Sequence, residues 1–434
     1  MISKLGHHTL LCRFRRLVEH SGRAALILPP ARPGSLGDQA MLRATLTTLR
    51  QAGFDHIGVL TYDQTDRYTT DPTIQHHQLR DYLCYGLEEG MMRFIHIAQA
   101  YTHFFLIGAD VMDGYYSAKE TRAKIEIAEI AVRCGLNTSL LGFSFNDHAD
   151  EDCVEALREL PTSVAMYARD PVSYRRLSHL LGRHITPSAD LAFLLIPNAS
   201  RLEVEAFLDK MNGLKAAGRI LFGINVTNMI LGKTSTLAQV VTLLGYVRQM
   251  MLAAAEQYPN ITFILFSHDN RGPMSDVILS KRLADSLHGV LTNTQLLLVP
   301  EALDSDEIKA LCAPLDGAFT CRMHFGIACL SQGVPIAAIG YQGKFEGLME
   351  RFDLVNMLLP DVNSLNPDSL TTLMKQLIKE RTHLKAHVLE RLPDIRRLAA
   401  NNFSNSLPHQ ILAELTKQDK DSSYFPGSST NGAG

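Results

Sequence analysis

Short apolar runs alternate with longer amphipathic stretches along most of this chain, and that rhythm constrains the fold before any single residue does. "AALIL" (24–28), "HIGVLTY" (56–62), "HFFLIG" (103–108), "TSLLGFSF" (138–145) and "SVAMYARD" (163–170) read as buried strands. Such runs suit strands covered on both faces. Between them "DQAMLRATLTTLRQAG" (38–53), "TRAKIEIAEIAVRCG" (121–135) and "DPVSYRRLSHLLG" (170–182) have helical spacing, and each ends in Gly. "DLAFLLIP" (190–197) closes this series, and a second begins at "RILFGINVT" (219–227). There "ITFILFSHD" (261–269) and "TQLLLVP" (294–300) are strands, and 234–259, 275–287 and 305–315 are helices. Strand–helix alternation predicts parallel sheets with crossover helices.

A chain of 434 residues is too long for one ordinary core. The two series therefore predict two Rossmann-like, doubly wound parallel-sheet domains facing a cleft, over 1–205 and 215–395, with the boundary near 200–218. Residues 370–403 read as helical with one Pro, 396–416 as a C-terminal helix, and the polar tail 417–434 as disordered.

The net charge of −3 provides no global field for nucleic acid, so a bound anion has to be held by a local cluster. Seven cysteines without a CxxC pair suggest neither a disulfide framework nor a zinc site. The polar N-terminus and the lack of a long apolar run lead us to expect a soluble, cytoplasmic protein.

In open parallel sheets ligands gather where strands end and helices begin. Four such junctions carry chemistry. "RPGSLGDQA" (32–40) offers Gly34 and Gly37 for close backbone approach and Asp38 as a cap or hydroxyl ligand. "IGADVMDGYYS" (107–117) brings Asp110 and Asp113, either turn residues or a carboxylate pair for sugar hydroxyls. "FSHDNRGPMSD" (266–276) crowds His268, Asp269, Arg271 and Asp276 after an apolar strand. In "FTCRMHFGIACLSQGVPIAAIGY" (319–341), Arg322 and His324 stand two apart at a bend before a helix, with Lys344 just beyond the next strand. On an extended bend they would project to the same side, and together they suit an anion: Arg for bidentate binding, His for proton transfer.

These residues also carry a resemblance. "DGAFTCRMHFGIACLSQGVPIAAIGYQGKFEGLMERFDL" (316–354) resembles the C-terminal signature of the polysaccharide pyruvyl transferase family: Asp before the strand, Arg-x-His at the bend, a Gly-Val-Pro return and Tyr-x-x-Lys. "GSLGDQAM" (34–41) is similar to the family's Gly-rich loop, and "IGADVMDGYY", "YARDPVSYRRL" and "SADLAFLL" follow in the expected order. Ser35 stands where the family often has Asn, and Met323 where it often has Leu.

The resemblance implies a GT-B-like pair of domains. It also implies transfer of the enolpyruvyl group of phosphoenolpyruvate onto two sugar hydroxyls, as in bacterial surface or exopolysaccharide precursors. Phosphate is released, and no metal or cofactor is needed beyond the co-substrate. Arg322, Lys344, Arg271 and His268 would then bind the donor, and Gly37, Asp38, Asp110 and Asp113 the acceptor. His324 is the expected general acid, with Arg322 and His268 as its catalytic partners, although a helix N-terminus disfavours an imidazolium. Two alternatives stay open: a nucleotide-sugar glycosyltransferase of the same architecture, and a non-catalytic sugar- or phosphometabolite-binding protein. Arg13, Arg15 and Arg16 would suit peripheral contact with an anionic membrane carrying a lipid-linked acceptor. A homo-oligomer is compatible with the sequence.

Overall fold

The computed structural model describes residues 23–415 other than 67, 70, 233, 234, 342 and 361. Arg13, Arg15, Arg16 and the 417–434 tail lie outside the described residues. The first sheet comprises β1 (Arg23–Leu28), β2 (Phe54–Thr61), β3 (Gln75–Gln78), β4 (His103–Ala109), β5 (Asn137–Phe143), β6 (Ala165–Ala168) and β7 (Thr186–Pro187). Its order is β3-β2-β1-β4-β5-β6-β7, with every pairing parallel. The second comprises β8 (Ile220–Asn225), β9 (Ile261–Leu265), β10 (Leu296–Leu298), β11 (Gly317–Thr320), β12 (Ile336–Ile339) and β13 (Leu358–Leu359). Its order is β10-β9-β8-β11-β12-β13, again all parallel.

Period-two geometry explains the strand runs. Along β1, Ala25 and Ile27 face one core, while Ala24, Leu26 and Leu28 face another on the opposite side of the sheet. The first of these cores continues without a break into the second sheet, through Phe222, Ile264 and Phe319. The two domains therefore share apolar packing. Polar contacts reinforce it: Arg43 pairs with Asp304 at 2.6 Å and Gln39 bonds the same carboxylate at 2.8 Å.

Several elements differ from expectation. β3 is "QHHQ", an edge strand with no apolar pattern to announce it. The stretch around the expected boundary forms a helix, Leu202–Ala216, which buries only Val204 and Met211. The helix Leu237–Gln257 is, among the described residues, the one long and apolar enough to cross a membrane by length and composition. Its Val240, Leu243, Val247, Met250 and Ala254 are buried against the fold, at helical spacing. A single helix spans Pro367–Ala400 with Pro393 inside it, so residues 396–416 begin within that helix; a shorter one, His409–Leu415, follows. Past its end Asn402 accepts from Gly142 N at 2.7 Å and donates to Ala189 O at 2.9 Å. The chain thus returns to the first domain.

The strand order reverses direction between β1 and β4 in one sheet and between β8 and β11 in the other. Ligands bind outside such switch points. Here the loops after these strands meet around a single cleft.

Candidate functional site

The Gly-rich loop after β1 is fastened at both ends. Ser35 caps the helix Leu36–Gln51, its hydroxyl accepting from Asp38 N at 3.3 Å. The backbone also zips onto the other domain, with Leu36 N donating to His268 O and Asn270 N to Gly34 O, each at 3.2 Å. Gly34 sits at φ 116°, where a side chain is strained, and a Cβ there would lie 2.5 Å from Arg271 Cγ. Gly37 has a different reason to be Gly: a Cβ would lie 2.3 Å from His324 Nδ1. It makes room for an imidazole from the opposite domain.

The cleft between the domains encloses a cavity of about 300 Å³. Gly37, Asp38 and Asp110 line it from the first domain, and His268, Arg271, Arg322, His324 and Lys344 from the second. Of the residues expected from sequence, Asp113 is not in its lining. Its buried carboxylate accepts from Tyr115 N at 3.0 Å and Asn146 Nδ2 at 2.7 Å, so it organises a turn.

The Arg-x-His bend is tighter than expected. Arg322 is extended (φ −116°, ψ 124°), and the helix Met323–Leu330 starts at the next residue. The two side chains therefore part instead of projecting together. Arg322 turns back into its own domain, with Nε at 2.6 Å and Nη2 at 2.9 Å from Asp276, and Nη1 at 3.3 Å from Asp269. Burial would weaken its charge, but the two carboxylates hold the guanidinium more firmly protonated than usual. Asp276 is fully buried and also accepts from Asn225 Nδ2 and His268 N, each at 3.2 Å.

His324 crosses to the first domain. Its Nε2 lies 3.4 Å from Asp190 Oδ2, an ion pair whenever the ring carries a proton, and this atom is buried and not aligned for a hydrogen bond. Asp190 is held by Arg169 Nη1 and Ala192 N, each at 2.9 Å. Burial would raise its pKa, but His324 and Arg169 bring the carboxyl down to about 2. His268 is buried as well, and burial together with the charges of His324 and Arg322 pushes its pKa well below the usual imidazole range. It is a neutral ring near pH 7.

Lys344 reaches across to Asp110 at 2.6 Å, bonds the Tyr116 hydroxyl and lies over the Tyr341 ring, 4.8 Å from its centroid. Burial would strip its proton; Asp110 and the tyrosines keep it on. Asp110 in turn stays ionised below the usual carboxylate range, despite its burial, because of Lys344 and Arg169. Asp38 makes no ion pair among the described residues, and burial followed by the Asp110 charge raises its carboxyl pKa. It is poised to take a proton.

The cationic pocket expected from sequence is therefore already compensated. Arg322 and Arg271 face Asp276 and Asp269, and Lys344 faces Asp110. Arg271 is the most open of the three, its side chain 43% exposed. Sequence reasoning missed Lys124, which lines the cavity, and Asp190 and Arg169, which stand behind His324. A Ser-x-Asp before the apolar "LAFLL" was a signal for a helix cap, not for a partner to His324.

Comparison with known proteins agrees with this geometry. A protein from Listeria monocytogenes assigned as a UDP-N-acetylglucosamine 2-epimerase superposes with a TM-score of 0.56 at 10% identity, covering 89% of this chain and 97% of its own. The MnaA–UDP complex from S. aureus superposes at 0.54 and 11%, covering 85% and 91%. The N-terminal domain of trehalose-6-phosphate phosphatase from Candida albicans superposes at 0.51 and 13%, covering 90% and 98%. At these identities the likeness concerns the fold alone: two parallel-sheet α/β domains in a GT-B-like pair. No curated relative matches the chain in sequence. The family model for polysaccharide pyruvyl transferase matches residues 36–343, which takes in Gly37 and Asp38 at the end of the Gly-rich loop, Asp110, His268, Arg271 and the Arg-x-His bend, and ends one residue before Lys344. This chain accordingly belongs to the polysaccharide pyruvyl transferase family and is a transferase.

Proposed function

We propose that this enzyme moves the enolpyruvyl group of phosphoenolpyruvate onto two hydroxyls of a sugar in a surface polysaccharide or its precursor. The product is a cyclic ketal, and phosphate is released. One observation carries the reading: the half-buried His324 and Asp38, which makes no ion pair among the described residues, meet in a single cleft, beside Lys344 and the Arg322–Arg271 cluster. A donor with a carboxylate and a phosphate needs cations, an alkene carbon needs an acid, and a hydroxyl needs a base.

In this mechanism the donor anion shares Lys344 with Asp110 and draws Arg271 away from Asp269. The first sugar hydroxyl attacks C2 and gives its proton to Asp38, while His324 protonates C3 and turns the methylene into a methyl. The second hydroxyl then attacks C2 as the C–O bond to phosphate breaks, and its proton leaves with the phosphate. Asp38 then gives up the first proton and His324 regains one through solvent, so the cycle balances without a further cofactor. His268, held neutral, fits an orienting ligand better than an acid, which favours His324 for that role. Asp190, 3.4 Å from Nε2, would steady the imidazolium.

The test is incubation with phosphoenolpyruvate and acceptors ending in galactose, glucose, mannose or N-acetylmannosamine, reading phosphate release and acceptor mass. Phosphate release with a matching gain in acceptor mass is expected. No release with any acceptor, alongside turnover of a nucleotide sugar, would replace this reading with glycosyl transfer.

A further inference from the structure

Four basic side chains line the cleft and three have a carboxylate partner. Arg322, Arg271 and Lys344 each lie within 3.3 Å of one. The fourth is Lys124, on the helix Ala118–Arg133 of the first domain, and it has no carboxylate within 4.0 Å among the described residues. Its side chain is buried, 2% exposed, and its ammonium donates one hydrogen bond, to Pro30 O at 2.6 Å. The Tyr62 ring centroid lies 6.0 Å away. Glu120 and Asp38 lie in the same wall but beyond ion-pair distance.

An ammonium carries three donors. Glu120, Asp38 and Asp110 offset its charge only from a distance, and burying it with one acceptor and no carboxylate in contact is unfavourable by several kcal/mol, roughly, unless something else completes its shell. Methionine would fill the same volume without that penalty. Burial draws the Lys124 pKa down to about 8, so the group is still mostly charged near pH 7. A charged acceptor gains about twice what a neutral one does from such a donor.

We propose that Lys124 forms a subsite on the acceptor wall for an oxyanion carried by the sugar substrate, a phosphate or a carboxylate. The acceptor of this enzyme is then an acidic sugar, held by its charge at Lys124 while its hydroxyls face Asp38. This rests on the first domain being the acceptor side, and it adds the class of acceptor.

Calorimetric titration of the full chain tests it, with no donor present. The probes are the methyl glycoside, the uronic acid and the 1-phosphate of galactose, glucose and mannose. At least one acidic member should bind about tenfold or more tightly than its methyl glycoside. Whether the 1-phosphate or the uronate shows this gain identifies the source of the anion. Lys124→Met should abolish the gain and leave phosphoenolpyruvate affinity within about twofold, whereas Arg271→Gln should weaken phosphoenolpyruvate and spare it. Equal binding of acidic and neutral sugars by the wild type overturns the subsite without reference to any variant, as does failure of every sugar to bind. Persistence of the gain in Lys124→Met, or its loss in Arg271→Gln, overturns it too. If phosphoenolpyruvate neither binds nor releases phosphate while the gain depends on Lys124, the donor reading falls and the subsite stands. Phosphate release without any acidic preference gives the reverse.

Discussion

The two walls of the cleft handle charge in opposite ways. On the second-domain wall Arg322 and Arg271 are locked to Asp276 and Asp269, and the neutral His268 packs against them. On the first-domain wall Asp38 and Lys124 line the same cavity without direct ion pairs. Lys344 and Asp110 tie one wall to the other. A compensated cluster is stable without ligand and keeps its geometry. An uncompensated group keeps its chemistry available, as a base or as a charge, and destabilises the empty protein. The difference separates side chains that hold the site from side chains that act in it, and substitutions on the two walls should fail in different ways.

The largest effect should come from the residue that crosses between the walls. His324→Gln should lower phosphate release about 10²–10⁴-fold. Stability should fall by about 1 kcal/mol, because the contact with Asp190 is lost although Nε2 has no hydrogen bond to lose. An unchanged rate would remove His324 from the mechanism. On the locked wall, Asp276→Ala should act on stability instead. It strands the Arg322 guanidinium in a buried position, at a cost of about 3–5 kcal/mol read by urea denaturation. A variant as stable as wild type would show that the pair does not organise this wall.

Both walls were partly legible in the sequence. Strand β9 lies within "ITFILFSHD" as the apolar run predicts, because a strand buried on both faces is an apolar run between turn residues. The cleft residues Asp38, Asp110, His268, Arg322, His324 and Lys344 were legible because each follows a strand, where parallel sheets place ligands. Their pairings were not legible. Asp276 lies 46 residues from Arg322, and Asp110 lies 234 from Lys344 along the chain (344 − 110). Nothing local records such contacts. Lys124 sits mid-helix in "TRAKIEIAEI", where a lysine ordinarily reads as the solvent face. Its burial follows from the crossover helix lying over the sheet, a tertiary fact.

Two glycines sharpen the comparison at a smaller scale. Gly37→Ala places a methyl against the His324 ring and should disturb the contact that carries the imidazole across the cleft. Overpacking of this kind costs about 1–3 kcal/mol, and activity should fall with it. Gly213, exposed in the helix Leu202–Ala216, has nothing within 4 Å of a built Cβ. Gly213→Ala should stabilise by up to about 1 kcal/mol and leave activity alone. Equal effects from the two would mean that the His324–Gly37 contact does not hold in solution.

The smallest effect tests whether the locked wall really keeps His268 neutral. In the unfolded chain this imidazole takes up a proton as the pH falls through about 6.5. In the folded protein, burial and the nearby charges of His324 and Arg322 hold the proton off to well below that value. Between those two points the unfolded state binds the extra proton, so stability is complete above about pH 6.5 and declines by up to about 1.4 kcal/mol per pH unit below it. Asp190 acts in the same direction but in a lower window, from the ordinary carboxylate range down to about 2. Urea denaturation of wild type and His268→Gln at pH 7, 6 and 5 separates the two, because only the imidazole titrates there. The wild type should lose about 1 kcal/mol more than the variant between pH 6 and 5. Parallel slopes would mean that His268 is protonated inside the fold, and it would then compete with His324 as the proton donor.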